Sequence, residues 1–149
     1  MKIIITESQF EDAVIKYVKK SFKNEIVDVY FSGKMLEIIL PGEESFKREN
    51  AIKVQLHNEL KNIFSKSFPI QVHFEQKFYG NVEFDGDDVT FTKELDNGEM
   101  FELTGSMQEF HDGRDYDYEF EPSYISNEDY YSDNWDIIEK FIQNKFYYR

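Results

Sequence analysis

The amino-acid sequence predicts an α+β fold: an N-terminal α-β-β-α-β unit that continues into an antiparallel meander and is closed by a C-terminal amphipathic helix. Three observations carry this prediction. Apolar residues recur at spacings of three and four in three stretches, near the start, in the middle and at the end of the chain. Between those stretches lie short apolar runs and, at 70–75 and 115–121, period-two alternation, and glycine recurs at positions 80, 86, 98, 105 and 113, as it does between consecutive hairpins. The chain has 149 residues, 40% of them hydrophobic, with 15 Phe, 10 Tyr and 1 Trp. That is enough apolar material for a core and suits one domain, residues 1–149, with a sheet of five to seven strands.

Thr6-Glu7-Ser8-Gln9 has the form of a capping box. Phe10, Ala13, Val14, Tyr17, Val18 and Phe22 follow at helical spacing and predict a helix from about Glu7 to Phe22. Residues 25–40 read as a hairpin, with Ser32-Gly33-Lys34 between two apolar arms and Pro41-Gly42 closing the second strand. Glu43 and Glu44 suit the first turn of a second helix, whose apolar positions from Phe46 to Phe64 carry it to about Ser67, where Pro69 stops it. Ile70, Val72 and Phe74 then mark a strand.

In the meander, turns at Asp85-Gly86 and Asn97-Gly98 would set Val82 opposite Val89 and Lys93 opposite Glu102. Asp115-Tyr116-Asp117-Tyr118-Glu119-Phe120-Glu121 alternates strictly, which places three aromatics on one strand face and four carboxylates on the other. A polar connection after Pro122 leads to Asp133, a candidate cap for a last helix with Trp135, Ile138, Phe141, Ile142 and Lys145 on one side.

The net charge of −13 disfavours direct binding to nucleic acid or to an anionic membrane, both polyanions. It is unevenly placed. Residues 1–77 hold 12 Lys/Arg and 11 Asp/Glu, whereas residues 78–149 hold 5 and 19. The near-neutral and the acidic, aromatic-rich parts are expected to pack together. The absence of Cys excludes disulfides, zinc ribbons and thiol nucleophiles. Apolar runs such as Ile3 to Ile5 are too short to span a bilayer, and no signal-peptide pattern opens the chain, so a cytoplasmic protein is expected.

Nucleotide-binding glycine motifs and nucleophile elbows do not occur, and no cofactor is expected. Asp85, Asp87 and Asp88, and separately His111, Asp112, Asp115 and Asp117, gather hard oxygen ligands, yet neither group has the spacing of an EF-hand. They are read as solvated turns, with a metal-dependent hydrolase as an alternative. Lys16, Lys19, Lys20 and Lys23 form a basic stripe on the first helix, suited either to a phosphate backbone or simply to solvating that helix.

The 115–121 strand reads most simply as an edge strand with aromatics inward and charges outward. Its carboxylates stand two residues apart, about 6.5 to 7 Å, close to the spacing of phosphates along one nucleic-acid strand. Such a face suits a basic protein surface. Asp112, Asp115, Asp117, Glu119, Glu121, Tyr124, Glu128, Asp129, Tyr130, Tyr131, Asp133 and Trp135 are therefore the candidate partner-binding residues. Tyrosine and tryptophan there also suit a contact with a neighbouring subunit in a homo-oligomer.

The opening Met-Lys-Ile-Ile-Ile-Thr-Glu-Ser-Gln resembles the start of many small proteins of tailed bacteriophages, in which a short apolar run precedes a Thr-Glu-x-Gln helix cap. The resemblance covers nine residues and implies either a virion component or an accessory protein acting on a host system in the host cytoplasm. The leading expectation is thus a non-enzymatic viral accessory protein that works by protein-protein contact and imitates DNA, with a virion assembly protein as the alternative.

Overall fold

A computed structural model describes residues 6–113 and 115–149, the side chains of Asp112, Asp115 and Tyr116 excepted. It has three helices and seven strands among these residues, and the strands form two sheets, of three and four strands, rather than one. The chain divides into two units, residues 1–77 and 78–149, at the position where the charge balance changes.

The first unit runs α1 (Glu7–Ser21), β1 (Asp28–Ser32), β2 (Met35–Glu43), α2 (Phe46–Phe64) and β3 (Ile70–Gln76). Thr6 starts α1 as a reciprocal cap: its hydroxyl accepts from the Gln9 N–H, and its own N–H donates to the Gln9 side chain, both at 3.1 Å. Two otherwise orphaned donors are thereby satisfied. β1 and β2 pair antiparallel across a two-residue turn, since Ser32 faces Met35. β2 and β3 pair parallel, with α2 as the crossover.

β2 does not close at Pro41-Gly42. It passes through them as a bulge between Leu40 and Glu43 and regains its register with Glu43 opposite Gln76. A bulge accommodates Pro41 because no ladder donor is needed there. The Arg48 guanidinium donates to the carbonyls of Pro41 (2.7 Å) and Glu43 (3.3 Å) beside it. Glu43 and Glu44 consequently precede α2 instead of filling its first turn; Ser45 caps it, and Glu49 is the first-turn acid. The helix stops at Phe64, where Ser65 turns left-handed (φ 54°), four residues before Pro69. Val14 and Val18 of α1, Ile52, Leu56 and Leu60 of α2, and Leu36, Ile38 and Leu40 of β2 form the core. Each such burial contributes about 1.5 to 3 kcal/mol.

The second unit is an antiparallel sheet in the order β4 (Asn81–Asp85), β5 (Asp88–Glu94), β6 (Met100–Asp112), β7 (Asp115–Ile125), followed by α3 (Glu128–Tyr147). Both expected registers shift. The first turn is Gly86-Asp87, with Gly86 at φ 63°, so Val82 faces Phe91 and Val89 faces Phe84. The second loop spans residues 95–99, so Lys93 faces Phe101 and Glu102 faces Thr92.

β7 continues past Pro122 to Ile125, with a second bulge that sets Pro122 opposite Gly105 and Tyr124 opposite Thr104. Gly105 is required by close approach: a Cβ there would lie 2.2 Å from the Glu121 carbonyl oxygen and 2.8 Å from the Phe120 ring. The connection into α3 is only two residues long. Asn127, not Asp133, caps that helix by accepting from the Tyr130 N–H at 3.0 Å, and Asp133 lies within it. Ile137, Ile138, Ile142 and Phe146 are buried. Trp135, expected on that side, sits on its flank at 51% exposure, and Lys145 extends its ammonium over the Phe141 ring at 5.5 Å.

Candidate acidic interface

α3 covers one face of the four-stranded sheet. The rings of Phe84, Phe91, Phe101 and Tyr118 meet Phe146, Phe141 and Tyr130 of α3 at centroid distances of 4.8 to 6.0 Å. Residues between these inward positions point the other way, and among the described residues no helix of this unit lies over them.

The register assembles that open face in rows. Asp85, Asp88, Ser106 and Glu121 face one another across the four strands, and Glu83, Thr90, Thr104 and Tyr124 form the next row. Thr92 with Glu102, Gln108 with Glu119 and Phe110 with Asp117 extend it. Small half-buried hydroxyl residues lie at the centre, and Glu83, Asp85, Asp88, Glu94, Glu102, Asp117, Glu119 and Glu121, all exposed, lie around them. Among the described residues no Lys or Arg projects from this face. Lys93 turns to the α3 side, with its ammonium 4.8 Å from the centre of the Phe78 ring. Arg149 lies over Phe146 at 4.0 Å and donates to the Gly86 carbonyl at 2.8 Å.

At Tyr118 the outer edge of β7 is bonded to α3. The Gln143 side-chain amide donates to the Tyr118 carbonyl at 2.8 Å, and the Tyr118 N–H donates to the Tyr147 hydroxyl at 3.2 Å. Tyr147 in turn donates to the Asp117 carboxylate. That bond, with the Tyr118 N–H, holds the Asp117 carboxyl below its usual pKa, and the carboxylate raises the Tyr147 phenol above its own. Beside this edge is a cleft of about 410 Å³ lined by Gln108, Glu119, Glu121 and Glu139 among others. Burial raises the Glu139 pKa; the Tyr131 hydroxyl, donating to it at 3.0 Å, opposes the rise, while Glu119 and Asp136 add to it. Tyr131 is itself raised, first by burial and then by Glu139.

Asp117, Glu119 and Glu121 therefore share the open face, in keeping with the alternation of 115–121, and the bulge after Pro122 turns Tyr124 to the same side. The side chains of Asp112 and Asp115 lie outside the described residues. Glu128, Asp129, Asp133 and Trp135 are on α3, across the sheet, so the candidates do not form one surface. Tyr130 and Tyr131 are half-buried and held by Phe101 and Glu139 respectively. Sequence reasoning missed Glu83, Glu94 and Glu102 and treated Asp85 and Asp88 as turn or metal residues. The available signal was the alternation of Val82-Glu83-Phe84 and Phe101-Glu102-Leu103, the same pattern that marked β7.

Among the described residues, no three His, Asp or Glu side chains converge to hold an ion, and no helix is long and apolar enough to cross a membrane. Of the phage-like opening, residues 1–5 lie outside the described residues, and Thr6 to Gln9 form the α1 cap. Comparison of the chain with protein-family models, with curated proteins and with solved structures finds no match.

Proposed function

We propose that the open sheet face of the second unit binds a basic protein surface of the kind that holds nucleic-acid phosphates, and that the protein acts by occupying that surface in place of DNA. One observation carries this reading: eight exposed carboxylates share the face with no described Lys or Arg. Oppositely charged faces steer encounter and select partners, whereas like charges repel a polyanion. Asp117, Glu119 and Glu121 recur every second residue along β7, about 6.5 to 7 Å apart. The phage-like opening is consistent with an accessory protein directed at a host system.

The test is binding of the full chain to a panel of purified basic DNA-binding proteins, across a salt series and with duplex DNA as competitor. Binding is expected to weaken steeply with salt and to be displaced by DNA. The D117N/E119Q/E121Q variant should lose at least about tenfold in affinity with its circular dichroism unchanged, in line with charge pairs at interfaces. No binding to any member, or binding indifferent to salt and DNA, would refute the proposal.

A further inference from the structure

The acidic face has a complement on the same chain. Lys16, Lys19 and Lys20 on α1, and Lys23 just past its end, are all exposed, and none pairs with a described carboxylate. Residues 13–24 contain no Asp or Glu, so this stretch carries +4 on a protein of net charge −13, with Asp12 one turn before Lys16 and Glu59 of α2 at the Tyr17 hydroxyl among the nearby acids. Lys16 and Lys20 lie one turn apart on the side of α1 away from buried Val14 and Val18. They are therefore free to meet a partner without disturbing the core.

We propose that the lysine face of α1 in one copy docks on the open acidic face of the second unit in another copy, so that the protein associates head to tail. Charge complementarity selects this occupant. Two acidic faces cannot meet, since each second unit carries 5 Lys/Arg against 19 Asp/Glu, whereas the first unit, with 12 against 11, approaches without net repulsion. Spacing agrees as well: Lys16 and Lys20 are separated by about 6 Å along the helix, and Glu119 and Glu121 by about 6.8 Å along β7. A helix laid along that strand thus offers one ammonium to each carboxylate. The contact joins two different surfaces and leaves one of each exposed at the ends, so it propagates or closes into a ring.

This inference rests on the reading of the acidic face as a binding surface for cations, and it adds that the protein's own lysines compete for that surface. Sedimentation velocity at about 100 μM should show larger species at about 30 mM salt that dissociate at about 500 mM, because the contact is electrostatic. The K16E/K20E/K23E variant and the D117N/E119Q/E121Q variant should each be monomeric alone. Mixed, they should form a 1:1 dimer and nothing larger, since only one complementary pair of faces remains. Wild-type protein that stays monomeric at low salt, a lysine variant that still assembles, or a mixture that does not pair would overturn the inference. Binding of an octalysine peptide separates the two readings: retained by K16E/K20E/K23E, it leaves the acidic face intact even if self-association fails, and lost from the wild type, it removes both.

Discussion

The acidic face should cost the fold stability, and the Asp85–Asp88 pair measures how much. These residues stand directly opposite on β4 and β5, flanking the Gly86-Asp87 turn, and both are exposed. Opposed residues in an antiparallel pair have Cβ atoms about 4.5 to 5.5 Å apart, which puts the two carboxylates roughly 6 Å from each other. Two like charges at that distance repel by about 0.7 kcal/mol in water, and physiological salt halves this. Asp88→Asn is therefore expected to stabilise the second unit by about 0.3 to 0.7 kcal/mol. For a unit of this size that raises Tm by about 1 to 5 °C. Thermal unfolding followed by circular dichroism at about 20 mM salt is the assay, with Asp96→Asn in the 95–99 loop as the control for a charge removed without a cross-strand partner. The gain should fall to about a quarter at about 0.5 M salt, where the screening length of about 4 Å is shorter than the separation. It should also be non-additive, because D85N/D88N removes a repulsion that either single change has already removed. A gain insensitive to salt, or equal to that of Asp96→Asn, would show that the cross-strand register does not set the energy.

Two further outcomes follow from buried or bridged polar groups. Ionised Asp117 and neutral Tyr147 are each favoured in the folded state, so their joint contribution is present above the ordinary carboxylate pKa, lost as pH falls through the lowered Asp117 value, and lost again as pH rises through the raised Tyr147 value. The difference in urea midpoint between wild type and Tyr147→Phe should accordingly be greatest between about pH 5 and 9 and shrink on both sides, and a difference flat in pH would exclude this cause. In the first unit, His73→Ala strips the buried Glu37 carboxylate of its 2.6 Å hydrogen bond. The expected loss is about 1 to 3 kcal/mol in guanidinium unfolding, with Glu37→Leu restoring most of it in the same background, because a lone buried acceptor costs more than an apolar replacement. Equal stability of the single and double variants would contradict this.

The order of elements was legible because each carries a local signal: the Thr6/Gln9 cap, the spacing of Val14 and Val18, the alternation along Ile70 to Phe74 and along 115–121. Strand ends and registers were not. Pro41 and Pro122 each look like a terminator, yet each lies at a bulge where the missing N–H is not needed, and whether a bulge forms is decided by the partner strand. The 85–88 turn slipped by one residue because Gly86 takes the first, left-handed turn position rather than the second. The start of α3 was hidden because residues 128–134 have no apolar stripe; Asn127 and the packing of Tyr130 on Phe101 hold that turn. The acidic face had the same limit. The β7 row could be seen in a single strand, but joining it to Glu83, Asp88 and Glu102 requires knowing that β4 to β7 are neighbours in order.

How β7 is held also decides how a partner can approach. An exposed edge strand invites another strand to add to it, and the affinity then comes from main-chain hydrogen bonds. Here the Tyr118 carbonyl and N–H at that edge already meet Gln143 and Tyr147, and α3 is fixed to the sheet by buried Ile138, Ile142 and Phe146. Strand addition at Tyr118 would have to displace the C-terminal half of that helix. The face is less constrained: apart from Asp117, which accepts from Tyr147, its carboxylates project from positions whose backbone is already paired within the sheet. If the proposed function holds, recognition at β7 is thereby directed to side chains and charge rather than to the backbone. For that reason its strength should follow salt concentration, and it should be insensitive to the β-propensity of the sequence it meets.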